Sequence, residues 1–454
     1  MFERLKLILS KVDADYADIR YEKKEETRVV FNRDELTQVD SNTTDGFVLR
    51  FLKNGGLSSV AFTKEDDSDE AIRKCERNAQ IISKNIDRPV EFAEIGIIKD
   101  TFLPELKEDP KKVSIQEKIE ITRNYNRIPL KYDGIVTTTT EYREVIREKF
   151  FVSTEASEIK ENLVTTRIGG VITSSDNNIL QQVRVGGGGS SGFAVIRGLE
   201  EEFEKRTKVS LDLLKAKPVS GGTYNAILNP DLAGVFTHEA FGHFSEADLI
   251  EDNPTMKEKM KIGEKLGNEV VNIIDNPTIP DQLGFYEYDD EGVKVHPTQL
   301  MKNGILVGRL HSRRTAAAFE EPVTGHCVAE DYRYAPIIRM GTIFIQPGSQ
   351  SFDDLLLKLK DGLYLLDAMG GQTSGENFTF GAQYGYEIKN GKIGEMIRDI
   401  NISGNLYRTL QSIVGVGDDL ELSKVGGCGK GQLNIRSCLG APHILVNGIV
   451  IGGS

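Results

Sequence analysis

Thr237 to Asp248 reads THEAFGHFSEAD, and within it His238, Glu239 and His243 spell H-E-x-x-x-H. These are the parts of a zinc hydrolase: neutral imidazoles to hold Zn²⁺, and a carboxylate beside them to take a proton from the attacking water. The 454-residue chain carries only six histidines, so two at this spacing are informative. The spacing is unusual. Histidines at i and i+4 lie about 40° apart around an α-helix and share a face, whereas at i and i+5 they lie about 140° apart. A straight helix cannot aim both at one ion. Gly242, directly before the second histidine, offers two ways out: a π-bulge, or an end to the helix, either of which swings His243 round. Leu232, Val235 and Phe236 just upstream place the motif on a helix entering a core. Two imidazoles buried there without a metal would be costly.

Catalytic zinc takes three protein ligands and leaves one position open. The candidates for the third are Glu246, Asp248, His311, His326, Cys327, Cys428 and Cys438. Glu246 shares a face with His243 if the helix continues, either on the metal or orienting a ligand. Cys428 lies among Gly426, Gly427, Gly429 and Gly431, where backbone can approach an ion closely. The residues alone divide the position between Cys428, Glu246 and the His326-Cys327 pair, with Cys428 ahead. His296 reads as a strand or turn residue, His311 as solvated or functional, and His443 receives no role.

Hydrophobic content of 39% with 28% charged residues is that of a globular protein, and 454 residues exceed one ordinary core. A net charge of −13 argues against a nucleic-acid surface. No apolar run reaches membrane-spanning length. Met1 to Leu9 lacks the apolar stretch of a signal peptide, and four cysteines make no disulfide framework. The expected location is cytoplasmic.

The expected fold class is α+β in three parts. Residues 1–105 form a small α+β domain, with a helix at Phe2–Leu9 and strands near Ala17–Tyr21, Thr27–Phe31 and Gly46–Phe51. An Asn54-Gly55 hairpin follows, then a helix with Ala71, Ile72, Cys75, Ala79 and Ile82 on its apolar stripe. Residues 106–220 form a middle domain with helices near Ile115–Arg123 and Leu199–Leu214. Between them runs a meander of antiparallel strands with one polar face. Its run Gly186–Gly192 reads as a flexible strand connection, or a backbone edge open to a peptide, rather than a phosphate loop. Residues 221–454 form a mainly antiparallel β-domain that carries the metal-site helix. Hairpins are expected at Asn303-Gly304, Asn390-Gly391 and Asn447-Gly448, with helical pieces near Thr255–Leu266 and from a capping box at Ser351 to Lys360.

His238, Glu239 and His243, followed by Glu246 and Asp248, resemble the signature of the TldD/PmbA family, metallopeptidases long labelled modulators of DNA gyrase. Gly426-Gly427-Cys428-Gly429-Lys430-Gly431-Gln432 is similar to the family's C-G-K-x-G-Q segment, with one residue fewer. Asp289-Asp290-Glu291-Gly292, Tyr332-Arg333-Tyr334-Ala335-Pro336 and Gly370-Gly371-Gln372 fall between them in the family's order. The resemblance spans essentially the whole chain and is to the TldD side, which keeps the metal motif. It implies that Cys428 is the third ligand of one Zn²⁺ per chain and Glu239 the catalytic base. It also implies action on peptides or unfolded segments, inside a dimer formed either with a paralogue lacking the motif or with a second copy.

The expected reaction is metal-assisted amide hydrolysis. Glu239 moves the proton from water to the leaving amine, and Arg333 or Tyr334 supports the oxyanion. Two rivals stand beside it: a zinc amidase acting on small molecules, and a non-enzymatic protein with a structural zinc site.

Overall fold

Apolar and charged residues alternate through two long segments, 16–62 and 135–189, and the two zip together into one sheet. A computed structural model describes residues 1–432 and 435–452. The strands are β1 (Tyr16–Asn32), β2 (Glu35–Lys53), β3 (Gly56–Phe62), β4 (Lys99–Phe102), β5 (Ile135–Ser153), β6 (Glu158–Asp176) and β7 (Ile179–Gly189). Their order is β3-β2-β1-β5-β6, with β4 and β7 both along the outer edge of β6. β1 therefore pairs across the boundary drawn at residue 105, with β2 on one side and β5 on the other. The two strands expected near Ala17 and Thr27 are one strand, because the charged residues between them keep partners on both sides (Glu25 opposite Thr43 and Ile146).

Helices α1 (Phe2–Leu9), α2 (Ser68–Ser83), α3 (Ile115–Arg127) and α4 (Glu200–Leu213) cover one face of this sheet. Leu5, Ile8, Cys75 and Ala79 pack on Ile19 and Leu49 at one end. Tyr125 and Phe203 pack near Val29 and Ile168 at the other. The opposite face carries the alternate residues of each strand, and these are charged. They are also buried: Arg20 is 2% exposed, Glu22 0% and Glu161 1%. Each meets an opposite charge, many on loops from later in the chain. Arg50 holds Asp18 and Glu291, Arg20 and Lys149 hold Asp290, and Lys24 faces Asp331. The polar face expected of the meander meets the C-terminal half.

In that half, five strands close on themselves: Gly222–Leu228, Ile444–Gly452, Ile400–Asn405, Asn377–Lys389 and Gly362–Ser374, which pairs back in parallel with the first. A second sheet runs in the order Ile305–Leu306, Thr298–Lys302, Ile273–Asp275, Thr342–Ile345, Cys438–Ala441, Glu421–Leu422. Helix α5 (Pro230–Phe236) lies between the two, packed on Gly362–Ser374 and on Cys438–Ala441. The fold is α+β. Among the described residues no helix is long and apolar enough to cross a membrane.

Asn54-Gly55, Asn303-Gly304 and Asn390-Gly391 form the expected turns, with φ positive at both residues of each. Asn447-Gly448 does not turn the chain. It is a bulge inside Ile444–Gly452, where pairing steps from Val446 opposite Ala226 to Ile449 opposite Tyr224. Gly186–Gly189 is not a loose connection but the end of β7, paired with Thr166–Gly169. A Cβ on Gly186 would meet the Ile168 carbonyl at 2.6 Å, and one on Gly189 the Asp281 carbonyl at 2.5 Å. The helix expected over 255–266 is confined to Pro254–Lys259.

Asp331 is fully buried, takes the Arg333 fork and amide, and is held down to about 2: burial raises its carboxyl, but Arg333 and Lys24 outweigh it. A carboxyl whose folded pKa is depressed adds stability above its unfolded value and loses it as pH falls through the folded one. Asp331→Asn should therefore cost up to about 2 kcal/mol near neutrality. It should also flatten the loss of stability between about pH 4 and pH 2. Urea unfolding of both proteins across that range measures it. A parallel pair of curves would assign the acid limb to other carboxylates.

Candidate metal centre

The site begins where α5 stops being an α-helix. Asn229 caps the first turn by accepting from the Leu232 amide, and Pro230 fits the first helical position. At Thr237–Phe241 the helix widens to a π-turn, and Gly242–Ser245 then tightens into a 3₁₀ turn. The wider turn carries i→i+5 bonds and so lines up residues five apart. Both ways out offered by the sequence are used in succession. The His238 and His243 rings lie 5.1 Å apart at 84°. Gly242 is required by packing, since a Cβ there would sit 2.1 Å from the Met340 sulfur.

Cys428 arrives from 185 residues downstream and closes the cluster. Its Sγ is 3.0 Å from His238 Nε2 and 3.6 Å from His243 Nε2. The three donor atoms all lie within 4.8 Å of one another. Zinc bonds of about 2.0–2.1 Å to nitrogen and about 2.3 Å to sulfur, set tetrahedrally, place an N···S pair roughly 3.6 Å apart. The residues fit the ion. Burial by itself would raise the Cys428 thiol, but His238 and His243 pull it down to about 5. Burial would likewise lower His243, but Cys428 and Glu246 hold it up to about 10.

Behind His243 stands a buried charge relay. Its Nδ1 lies 3.2 Å from Glu246 Oε2, so Glu246 orients the ring from the side away from Cys428. Lys430 Nζ donates to Glu246 Oε2 at 2.9 Å, to Asp248 at 2.9 Å and to the Ile338 carbonyl at 3.1 Å. Arg339, fully buried, lies 4.0 Å from the other Glu246 oxygen. Burial would raise the Glu246 carboxyl, yet His243, Lys430 and Arg339 keep it below its ordinary value. Arg339 escaped the sequence reading, and Lys430 entered it only within the family segment, with no role. Their signals were present: a lone cation among the glycines after Cys428, and a lone cation in the apolar run Ile337–Met340.

Glu239 faces the cluster from the motif itself. Its Oε2 is 3.9 Å from His243 Nε2, and its side chain is 23% exposed. Thr373 donates to the Glu239 carbonyl at 2.8 Å and lies 3.5 Å from Oε2, while Gly371 leaves room for the side chain. Arg333 and Tyr334 are placed differently from expectation. Arg333 turns its fork onto Asp331, Tyr334 packs beside Arg333, and neither touches the three donors among the described residues. His311 is buried on Thr315 and Glu321, and His326 is buried on Asp275. His443 pairs with Asp419 and Tyr364, His296 is exposed, and Cys327 and Cys438 are buried thiols.

Family models match the chain in three consecutive pieces. Residues 17–82 match domain 1 of the PmbA/TldA metallopeptidases, 108–214 the central domain and 221–453 the C-terminal domain. The chain belongs to the PmbA/TldA metallopeptidase family. It is 31% identical to a metalloprotease of Synechocystis over 97% of this chain and 95% of the relative. It is 28% identical to a zinc metalloprotease TldD homolog of Saccharolobus solfataricus over the full length of both. The fold matches the crystal structure of TldE from Thermococcus kodakarensis over the whole of both chains, with a TM-score of 0.78 at 17% identity.

Three outcomes follow for zinc binding in this family member. Cys428→Ser purified without chelator should carry far less zinc by plasma mass spectrometry than the natural chain, and equal content would remove Cys428 as a ligand. Glu246→Gln should weaken zinc roughly 10–100-fold by releasing His243. At pH 7 the thiol is already ionised while His243 is still protonated, so zinc uptake should eject about one proton per ion. Affinity should then fall about tenfold per pH unit below neutrality, down to about pH 5. Calorimetry in buffers of different ionisation heat counts that proton.

Proposed function

We propose that this chain is a zinc-dependent peptidase hydrolysing peptides or unfolded protein segments. The observation that carries the reading is a carboxylate, Glu239, set beside three donors suited to zinc and left partly open to solvent. A purely structural site has no need of that carboxylate, and it closes with four protein ligands. Glu246, the nearest candidate for a fourth, is committed to His243 and Lys430. The names of the Saccharolobus and Synechocystis relatives support zinc and proteolysis.

Zinc, when bound, supplies a Lewis acid that polarises the scissile carbonyl and acidifies water. His238, His243 and Cys428 would hold it, and Glu246 aims the His243 ring. Glu239 takes the proton from the attacking water at a carboxylate oxygen, as the new C–O bond forms. The same oxygen then gives that proton to the amine nitrogen as the C–N bond breaks. Thr373 and the space over Gly371 fix where that carboxylate can stand. The family resemblance implies a dimer as the working form, either with a paralogue lacking the motif or with a second copy.

Glu239→Gln should keep its zinc and lose hydrolysis of an unstructured reporter peptide by about 10²-fold or more. Unchanged turnover would remove Glu239 as the base. Cleavage of small amides but of no peptide would favour the amidase reading.

A further inference from the structure

A cavity of about 290 Å³ opens between the charged face of the first sheet and Gly426-Gly427. Five cations line it: Lys24, Arg143, Arg147, Arg167 and Arg436, against one carboxylate, Glu330. Three of the cations are balanced locally. Arg147 is held by Glu22 at 2.8 and 2.9 Å, Arg143 by Glu26 at 2.6 Å, and Lys24 by Asp331 at 3.5 Å and Glu26 at 3.6 Å. Arg167 and Arg436 feel carboxylates only at longer range, Glu141 and Glu26 for the first and Glu161 for the second. Arg167 donates to the Gly426 carbonyl at 3.0 Å, and Arg436 reaches the Leu283 carbonyl only through Nε at 3.4 Å. Among the described residues both terminal nitrogens of Arg436 are buried without a hydrogen-bond partner, and neither arginine has an ion pair. Burial pushes both guanidiniums below their ordinary range, Arg436 to about 10. A desolvated cation without a contacting carboxylate is costly and gains most from an anion that can bond it through two nitrogens.

The position of the cavity says which anion. Its wall is Gly426-Gly427, and the next residue is Cys428. Neighbouring Cα atoms are about 3.8 Å apart, so the cavity wall runs directly into the residue that carries the Sγ donor. Gly426 is pressed onto the Ser437 carbonyl, 2.1 Å from where a Cβ would be, which fixes the wall against Arg436. We propose that this cavity is a substrate subsite for a carboxylate, selecting peptides with an acidic side chain or a free C-terminus close to the cleaved bond. This rests on the peptidase reading.

The test is fluorescence anisotropy of labelled peptides on zinc-loaded full-length Glu239→Gln, which leaves the peptide uncut, at constant ionic strength. One unstructured sequence is made in three forms: internal Glu with an amidated end, Gln with a free acid end, and Gln with an amidated end. An acid-bearing form should bind at least about tenfold tighter than the neutral one, and which form does so identifies the carboxylate's source. Adding Arg436→Gln or Arg167→Gln should erase that preference while zinc content and the neutral peptide's affinity stay unchanged. Arg436→Lys should retain part of it. Should the variants misfold, succinate with the arginines intact should compete with the acid-bearing form and leave the neutral peptide bound. Equal binding of all three forms would overturn the proposal, as would a preference that survives both glutamine variants. Acid preference without turnover by the natural chain would count against hydrolysis and for the subsite; turnover without preference would do the reverse.

Discussion

Two imidazoles five residues apart cannot face one ion from a straight α-helix, and the site is built around that constraint. α5 meets it by widening to a π-turn at Thr237–Phe241 and then tightening at Gly242–Ser245. Each change needs support from outside the helix. Gly242 must lack a side chain because Met340, just before the Thr342–Ile345 strand of the second sheet, presses on it. Phe236 is held by Phe378 and Phe380 of the closed strands, and Thr373 from the same wall bonds the Glu239 carbonyl. Irregular backbone of this kind persists where surrounding packing over-determines it. The barrel and the second sheet are that packing.

Buried charge is the second organising force. The first sheet turns Arg20, Glu22, Lys149 and Glu161 away from water and toward the C-terminal half. Ions in such a place are tolerated only when paired, and removing one partner costs far more than the pair contributes. The pairing therefore acts as a code for docking: Asp290 fits between Arg20 and Lys149, and Glu291 fits Arg50. The same logic continues into the site, where Lys430 and Arg339 let Glu246 remain ionised with no exposure to solvent. At Arg167 and Arg436 the pairing stops.

Much of this was legible in the sequence because it depended on local chemistry. H-E-x-x-x-H with Gly242 named both the donors and the backbone departure they needed, since helical geometry fixes where residues five apart must point. Asn54-Gly55 and Asn390-Gly391 became turns because both residues accept positive φ. Asn447-Gly448 has the same letters but lies opposite Tyr224–Ala226 in the middle of a paired strand, and the pairing partner outweighed the local preference. Burial of the polar sheet face was invisible for a related reason: alternation reveals two faces without revealing what covers each. Nothing in the neighbourhood of Arg333 says that Asp331, two residues back, is fully buried and takes its whole fork. Lys430 and Arg339 act across more than 90 residues of chain, and only the folded arrangement brings them to Glu246.

The segment Gly426–Gln432 joins these strands of argument. Cys428 supplies the donor, Lys430 fixes the glutamate that aims His243, and Gln432 accepts from the Glu330 amide and donates to the Ala335 carbonyl. Three side chains in alternate positions thus tie one strap to the donor cluster, to its supporting charge and to the loop that docks on the first sheet. The glycines between them are what allow it. Gly427 takes φ +136°, which a side chain would resist, and Gly426 lies against the Ser437 carbonyl where a Cβ would not fit. A strap so constrained has few ways to move independently. Whatever occupies the cationic cavity touches the same strap that carries Cys428, so the proposed recognition and the proposed chemistry share one segment of chain.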